Sequence, residues 1–276
     1  VNAGRTARER ARTELTREIK EAARGQLAAV GADGLSLRAV ARELGMVSSA
    51  LYRYFASRDD LLTALIVDGY ESLALAAEAA DKAARGAADE AAGGAAGKAA
   101  RGAAGGVPGE LAAGADGRPR TRLRAVCAAI RAWAHAHPHE YALLFGSPVP
   151  GYQAPQATVG PAARIPLVLL EIVRAGRAGG GSGAGQRPMN HGPGRPLPVL
   201  SPLLESQLRA VAEQFAPELP DHLMATALIA WTQLFGMLSF ELFGQLVGSV
   251  DPSDDFFGYA VERMADQLDL PPDPGR

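Results

Sequence analysis

One cysteine in 276 residues excludes an intrachain disulfide and fits a reducing, cytoplasmic setting. Cys127 lies among Val126, Ala128 and Ile130 and reads as a small buried hydrophobe, with a redox sensor as the alternative. No run of 18 or more purely apolar residues occurs, so no membrane span is expected. The arginine-rich start lacks an apolar h-region, so no signal peptide is expected either. No stretch of any length alternates apolar and polar residues as a strand would, so the fold class is all-α. The common catalytic signatures are missing: no Gly-x-Ser-x-Gly, no His-Glu-x-x-His, no phosphate-binding glycine loop and no dinucleotide fingerprint. The 32 glycines sit mostly in low-complexity segments. The expectation is a non-enzyme with no cofactor and no metal. His135, His137 and His139 beside Trp133 resemble a metal cluster. However, residues two apart on a helix point away from each other, and Pro138 interrupts the segment, so a helix-terminal structural role fits better.

What is present begins with charge. The whole chain carries a formal −2. Residues 1–60 hold 11 basic and 8 acidic side chains, the remainder 17 and 22. The basic end is the end a phosphate backbone would attract. Hydrophobic residues make up 47%, enough for a sizeable core.

Within the basic end, Ser36–Asp60 holds two short helical patterns around a break. Leu37, Val40, Ala41 and Leu44 share one face; Val47, Leu51 and Tyr54 or Phe55 share another. Ser36 and Ser48 stand where N-caps belong. Ala41 is small enough for a second helix to approach. Gly45 allows a sharp turn with positive φ, and Leu51 can plug the angle between the helices. That is the pattern of a helix-turn-helix, whose second helix enters the major groove; an ordinary helical hairpin is the alternative.

The run Leu51-Tyr52-Arg53-Tyr54-Phe55, then Ser57-Arg58-Asp59-Asp60-Leu61-Leu62, resembles the signature of TetR-family transcriptional regulators, without gaps from Ile19 to Ile66. Arg58 departs from the lysine more usual there. The stretch from Trp133 through Phe145, with Pro148 and Tyr152, and Trp231 through Gly244, is similar to the WHG-type C-terminal domain of such regulators. The resemblance implies an N-terminal helix-turn-helix three-helix unit, then a helical-bundle domain for ligand binding and dimerisation. Its partners would be a palindromic double-stranded operator, a small-molecule effector and a second copy. Two other readings stay open: a helical small-molecule binder with latent enzymatic activity, and an effector-independent DNA-binding protein.

The expected division is residues 1–66 for DNA and 67–276 for effector and partner subunit. Residues 1–13 are either an arm or helix start touching the DNA backbone, or a frayed tail. Helical patterns run from Leu15 to Val30, from Ser57 on, from Thr121 to Pro138, over Glu140–Phe145, Arg164–Val173, Val199–Phe215, Asp221–Val247 and Asp254–Leu268. Residues 79–106 repeat tetrads opening with Ala-Ala. A four-residue period drifts by about 40° per repeat on a helix, so the segment reads as helical at first and disordered over about 93–118. Residues 176–198 read as a mobile loop.

Three residue sets follow. Ser36, Arg38, Ser48, Ser49, Tyr52, Arg53, Tyr54 and Arg58 are expected to face DNA, with core packing as the alternative for Tyr54. Trp133, Tyr141, Phe145, Leu170 and Trp231 are candidates for an apolar effector pocket, or plain core. Thr232, Gly236, Phe240 and Gly244 on one helix, with Phe257, Val261 and Met264 on the next, are candidates for a four-helix dimer interface, with packing of the glycines against helices of the same chain as the alternative.

Overall fold

The structure is a computed structural model that describes residues 2–99, 118–178 and 198–273. Among the described residues ten α-helices run in order: α1 (Asn2–Val30), α2 (Leu37–Glu43), α3 (Ser48–Leu51), α4 (Arg58–Ala99), α5 (Pro119–Ala136), α6 (Pro138–Phe145), α7 (Val159–Ala178), α8 (Pro202–Phe215), α9 (Asp221–Leu242) and α10 (Asp254–Gln267). No strand occurs among the described residues, as the missing alternation led us to expect.

Local chemistry explains most helix ends. Ser57 accepts the Asp60 N–H at 3.0 Å and opens α4. Ser201 does the same for Leu204 at the start of α8. Pro138 breaks α5 and serves as a first-turn residue of α6, where its missing N–H costs nothing. Helix α1 starts at Asn2, so the arginine-rich arm is helical rather than frayed. Helix α4 continues to Ala99, past the point near 93 where the tetrads were expected to lose order; the bulk of that low-complexity segment, and 179–197 of the expected mobile loop, lie outside the described residues. Helix α7 begins five residues earlier than its apolar pattern, led in by a 3-10 turn over Gln156–Thr158.

Helix α9 stops at Leu242, five residues short of Val247. The Gln245 N–H reaches the Phe240 carbonyl at 2.9 Å, and Gly244 turns with φ +79°. This left-handed stop satisfies the last carbonyls of the helix. Gly244 is therefore a terminator, not a small residue on a packing ridge.

Packing divides the chain into two compact units. The first comprises 1–74 with 134–163, the second 75–133 with 164–276. Helix α6 and the loop after it thus pack with the N-terminal helices, and the first unit takes in the start of α4 as far as 74. The core of the first unit gathers Ile19, Ala23, Leu27, Val40, Leu51, Leu61 and Leu65 among others. The second is built on α5, α7, α9 and α10, with Val126, Ile130, Ile172, Leu234 and Met264 fully or almost fully buried. Cys127 is buried there, and burial pushes its thiol up to about 12. Helices α7 and α9 are long and apolar enough, by length and composition, to cross a bilayer. Core helices of a bundle share that composition.

Candidate nucleic-acid interface

The turn between α2 and α3 is fixed by three residues acting locally. Gly45 adopts φ +64°, a conformation that costs other residues about 1–2 kcal/mol. The Met46 N–H reaches back to the Ala41 carbonyl at 2.8 Å, and Gly45 N–H to Arg42 at 3.2 Å, closing α2 with a left-handed cap. Ala41 and Leu51 have no exposed surface, so the two helices meet across the smallest possible side chain, with Leu51 seated under the angle. The expected turn is present, and α3 ends at Leu51, short of Tyr54 and Phe55.

The two expected caps behave differently. Ser36 holds the N-cap position of α2 without a side-chain capping bond; its N–H donates to Gln26 Oε1 at 3.2 Å. Helix α3 begins at Ser48 itself, with Val47 as cap.

The outer surface of this motif carries Arg38, Ser49, Tyr52 and Arg53, all exposed. Ser36, Ser48, Tyr54 and Arg58 are half-buried. Tyr54 packs against the core cluster, and the Arg12 guanidinium lies 5.9 Å from its ring centroid, a cation–π distance that ties α1 to the turn after α3. Arg58 turns inward along the chain. Its Nε donates to the Leu35 carbonyl at 3.2 Å and one terminal nitrogen to Ala32 at 2.8 Å. Arg58 therefore clamps the link between α1 and α2, a role its charge alone did not suggest.

An ion cluster holds the first unit together and has no sequence signal, because its members lie far apart in the chain. Arg24 on α1 pairs with Asp68 on α4 at 3.0 Å and with Glu140 on α6 at 2.8 Å. Lys20 adds a second contact to Asp68 at 2.7 Å. Helix α6 is thereby pinned to the helix beneath the reading motif.

The candidate pocket residues divide between the two units. Tyr141 and Phe145 belong to the first unit, their ring centroids 5.1 Å apart and their planes tilted by 41°. Trp133, Leu170 and Trp231 belong to the second. Trp133, Tyr141 and Leu170 are buried core, and Trp231 leans on Phe235 at 4.4 Å. A cleft of about 620 Å³ does open in the first unit, but other residues line it.

The interface candidates divide by helix. Thr232, Gly236 and Phe240 are exposed on α9, joined by Ile229 and Phe243. Phe257, Val261 and Met264 face the chain's own interior: α10 has aromatics on both sides, and α5 and α9 cover this one. Phe256 and Tyr259 are the outward pair.

Comparison with known proteins agrees with this geometry. Residues 19–65 match the family described as bacterial regulatory proteins, tetR family. Residues 123–264 match the tetracyclin repressor-like C-terminal domain. The HTH-type transcriptional regulator Rv1816 of Mycobacterium tuberculosis (strain ATCC 25618 / H37Rv) is 34% identical over 240 residues, which is 85% of this chain and 83% of that protein. Mb1846 of Mycobacterium bovis matches to the same extent. Among solved structures, SCO4313 is similar with TM-score 0.64 and 31% identity, covering 93% of this chain and 97% of that one. A protein from Rhodococcus sp. RHA1, at 24% identity and TM-score 0.57 over 91% and 93% of the two chains, shares the fold. The chain belongs to the TetR family and is a DNA-binding transcriptional regulator.

Proposed function

We propose that this regulator is a cytoplasmic, homodimeric repressor that a small molecule releases from a palindromic operator. The observation that carries the reading is the exposed row Arg38, Ser49, Tyr52 and Arg53 on a motif whose turn is locked by Gly45. Hydroxyls and helix starts suit phosphate oxygens, and arginine suits base edges in the major groove. Ser36, Ser48 and Tyr54 border this row. One such motif covers one half-site. Two half-sites about 34–36 Å apart require a two-fold partner. The exposed apolar ridge of α9 is the surface offered to that partner. An effector acts by binding one spacing of the two reading heads better than the other, which is all that coupling requires.

Fluorescence anisotropy on DNA from upstream of the chain's own gene, against random DNA, tests the reading. Affinity should be higher for the upstream DNA and should fall steeply with salt. Tyr52→Ala and Arg53→Ala should weaken binding with the helical circular dichroism unchanged. Equal affinity for random DNA would leave the effector-independent DNA-binding protein as the better description.

A further inference from the structure

The cleft of about 620 Å³ in the first unit lies within the range of small-molecule sites, about 300–1,000 Å³. Its walls come from α4 (Ile66, Tyr70), the end of α6 (Leu143, Leu144), the following loop (Ser147, Tyr152) and the start of α7. No lysine, arginine, histidine, aspartate or glutamate lines it. An ionised ligand would lose its hydration there and gain no counter-charge. The Tyr70 and Ser147 hydroxyls make no hydrogen bond to another described residue. Burial raises the Tyr70 phenol above its usual range, so it stays a neutral donor. The wall is therefore apolar, with free hydroxyls and no charge.

Three wall residues, Leu143, Val149 and Tyr152, also pack against the core of the helix-turn-helix. Tyr152 bonds Thr63 of α4 through their hydroxyls at 2.9 Å. Filling the cleft therefore presses on side chains that seat the DNA-reading motif.

We propose that this cleft is a binding site for a neutral, largely apolar molecule that offers one hydrogen-bonding group to Tyr70 or Ser147. Its effect on DNA rests on the ligand-release reading above; binding itself does not. The ligand would act within the DNA-reading unit, by shifting the loop that shares side chains with its core.

The test is titration of the full chain with N-phenyl-1-naphthylamine, a neutral dye that brightens in apolar surroundings, followed by competition. A saturable rise is expected, reversed by neutral 1-naphthol but not by anionic 1-naphthoate. Ala162→Phe, which fills the cleft, should weaken dye binding by about tenfold or more, equivalent to about 1.4 kcal/mol. Should that variant not fold, Tyr70→Phe combined with Ser147→Ala keeps the ring against Phe145, removes both hydroxyls and should weaken competition by 1-naphthol several-fold. No saturable signal, equal competition by the anion, or wild-type behaviour of every folded variant overturns the site. Anisotropy on upstream DNA, with and without saturating dye, separates the two readings. If DNA affinity is unchanged at saturation, the site stands and ligand release falls.

Discussion

Asp81 and Arg122 meet inside the second unit, with Arg122 Nε 2.7 Å from one carboxylate oxygen and a terminal nitrogen 3.2 Å from the other. Both side chains are buried, and Arg85 one turn on reaches the same carboxylate. Forming such a pair contributes little net stability, because two charges leave water; removing Asp81 takes from the buried Arg122 its carboxylate counter-charge. Asp81→Ala should therefore cost about 3–5 kcal/mol in urea unfolding. Replacing both, as Asp81→Leu with Arg122→Met, should recover most of the loss. A double variant as unstable as the single one would show that the pair does more than cancel its own charges.

Arg58 gives a second test, because its guanidinium serves the fold. Arg58→Ala removes bonds to the Leu35 and Ala32 carbonyls and should cost about 1–2 kcal/mol, less than a fully buried charged bond would. Arg58→Lys should restore only part, since an ammonium cannot present the same fork. Arg53→Ala should leave unfolding unchanged and act on DNA affinity alone. If Arg58→Ala unfolds at the wild-type urea concentration, the clamp is unimportant.

Arg58 also marks what can be read from a sequence. Ala41, Gly45 and Leu51 were legible because each acts within a few residues, and the turn they make depends on nothing distant. Arg58 was legible as a cation but not as a clamp, since its partners lie over twenty residues back and are main-chain carbonyls. Gly244 looked like one of a row of small residues; only the backbone reveals it as a helix stop. The aromatic residues Trp133, Tyr141, Phe145 and Trp231 recur at helical spacing whether they line a cavity or fill a core. For Tyr141 and Phe145, which one they do depends on how α6 and its loop pack with α1 and α4, through contacts such as Arg24 to Glu140 across 116 positions. For α10, apolar residues on both sides hid which face turns inward.

Acid should weaken the second unit in a defined direction. Hydrogen bonding to Arg124, and after it to Arg120, holds the Glu262 carboxylate below its ordinary range against the opposing effect of burial. A group lowered in the folded state stabilises above its unfolded value, about 4.3, and loses that contribution as pH falls through the lowered one. The urea midpoint should thus fall on going from neutral pH to below 4, and Glu262→Gln should reduce the fall. A variant with the wild-type pH profile would place the acid sensitivity elsewhere.

The exposed ridge of α9 gives a test of association. Ile229 and Phe240 are each 56% exposed, on one side of the helix with Thr232 and Gly236 between them. Ile229→Glu combined with Phe240→Glu should yield a monomer in analytical ultracentrifugation, with weaker binding to upstream DNA and unchanged helical circular dichroism. A pair of charges there that leaves the protein dimeric would move the interface to another face.

Cys127 is 1% exposed, with its thiol pushed up to about 12, so at neutral pH almost none of it is the reactive thiolate. The chain therefore starts out silent toward maleimides and other thiol labels. A cysteine placed at the exposed Ser49 would be the single reactive handle on this chain. A fluorophore or spin label could then report on the reading helix without any native residue being removed to make room for it.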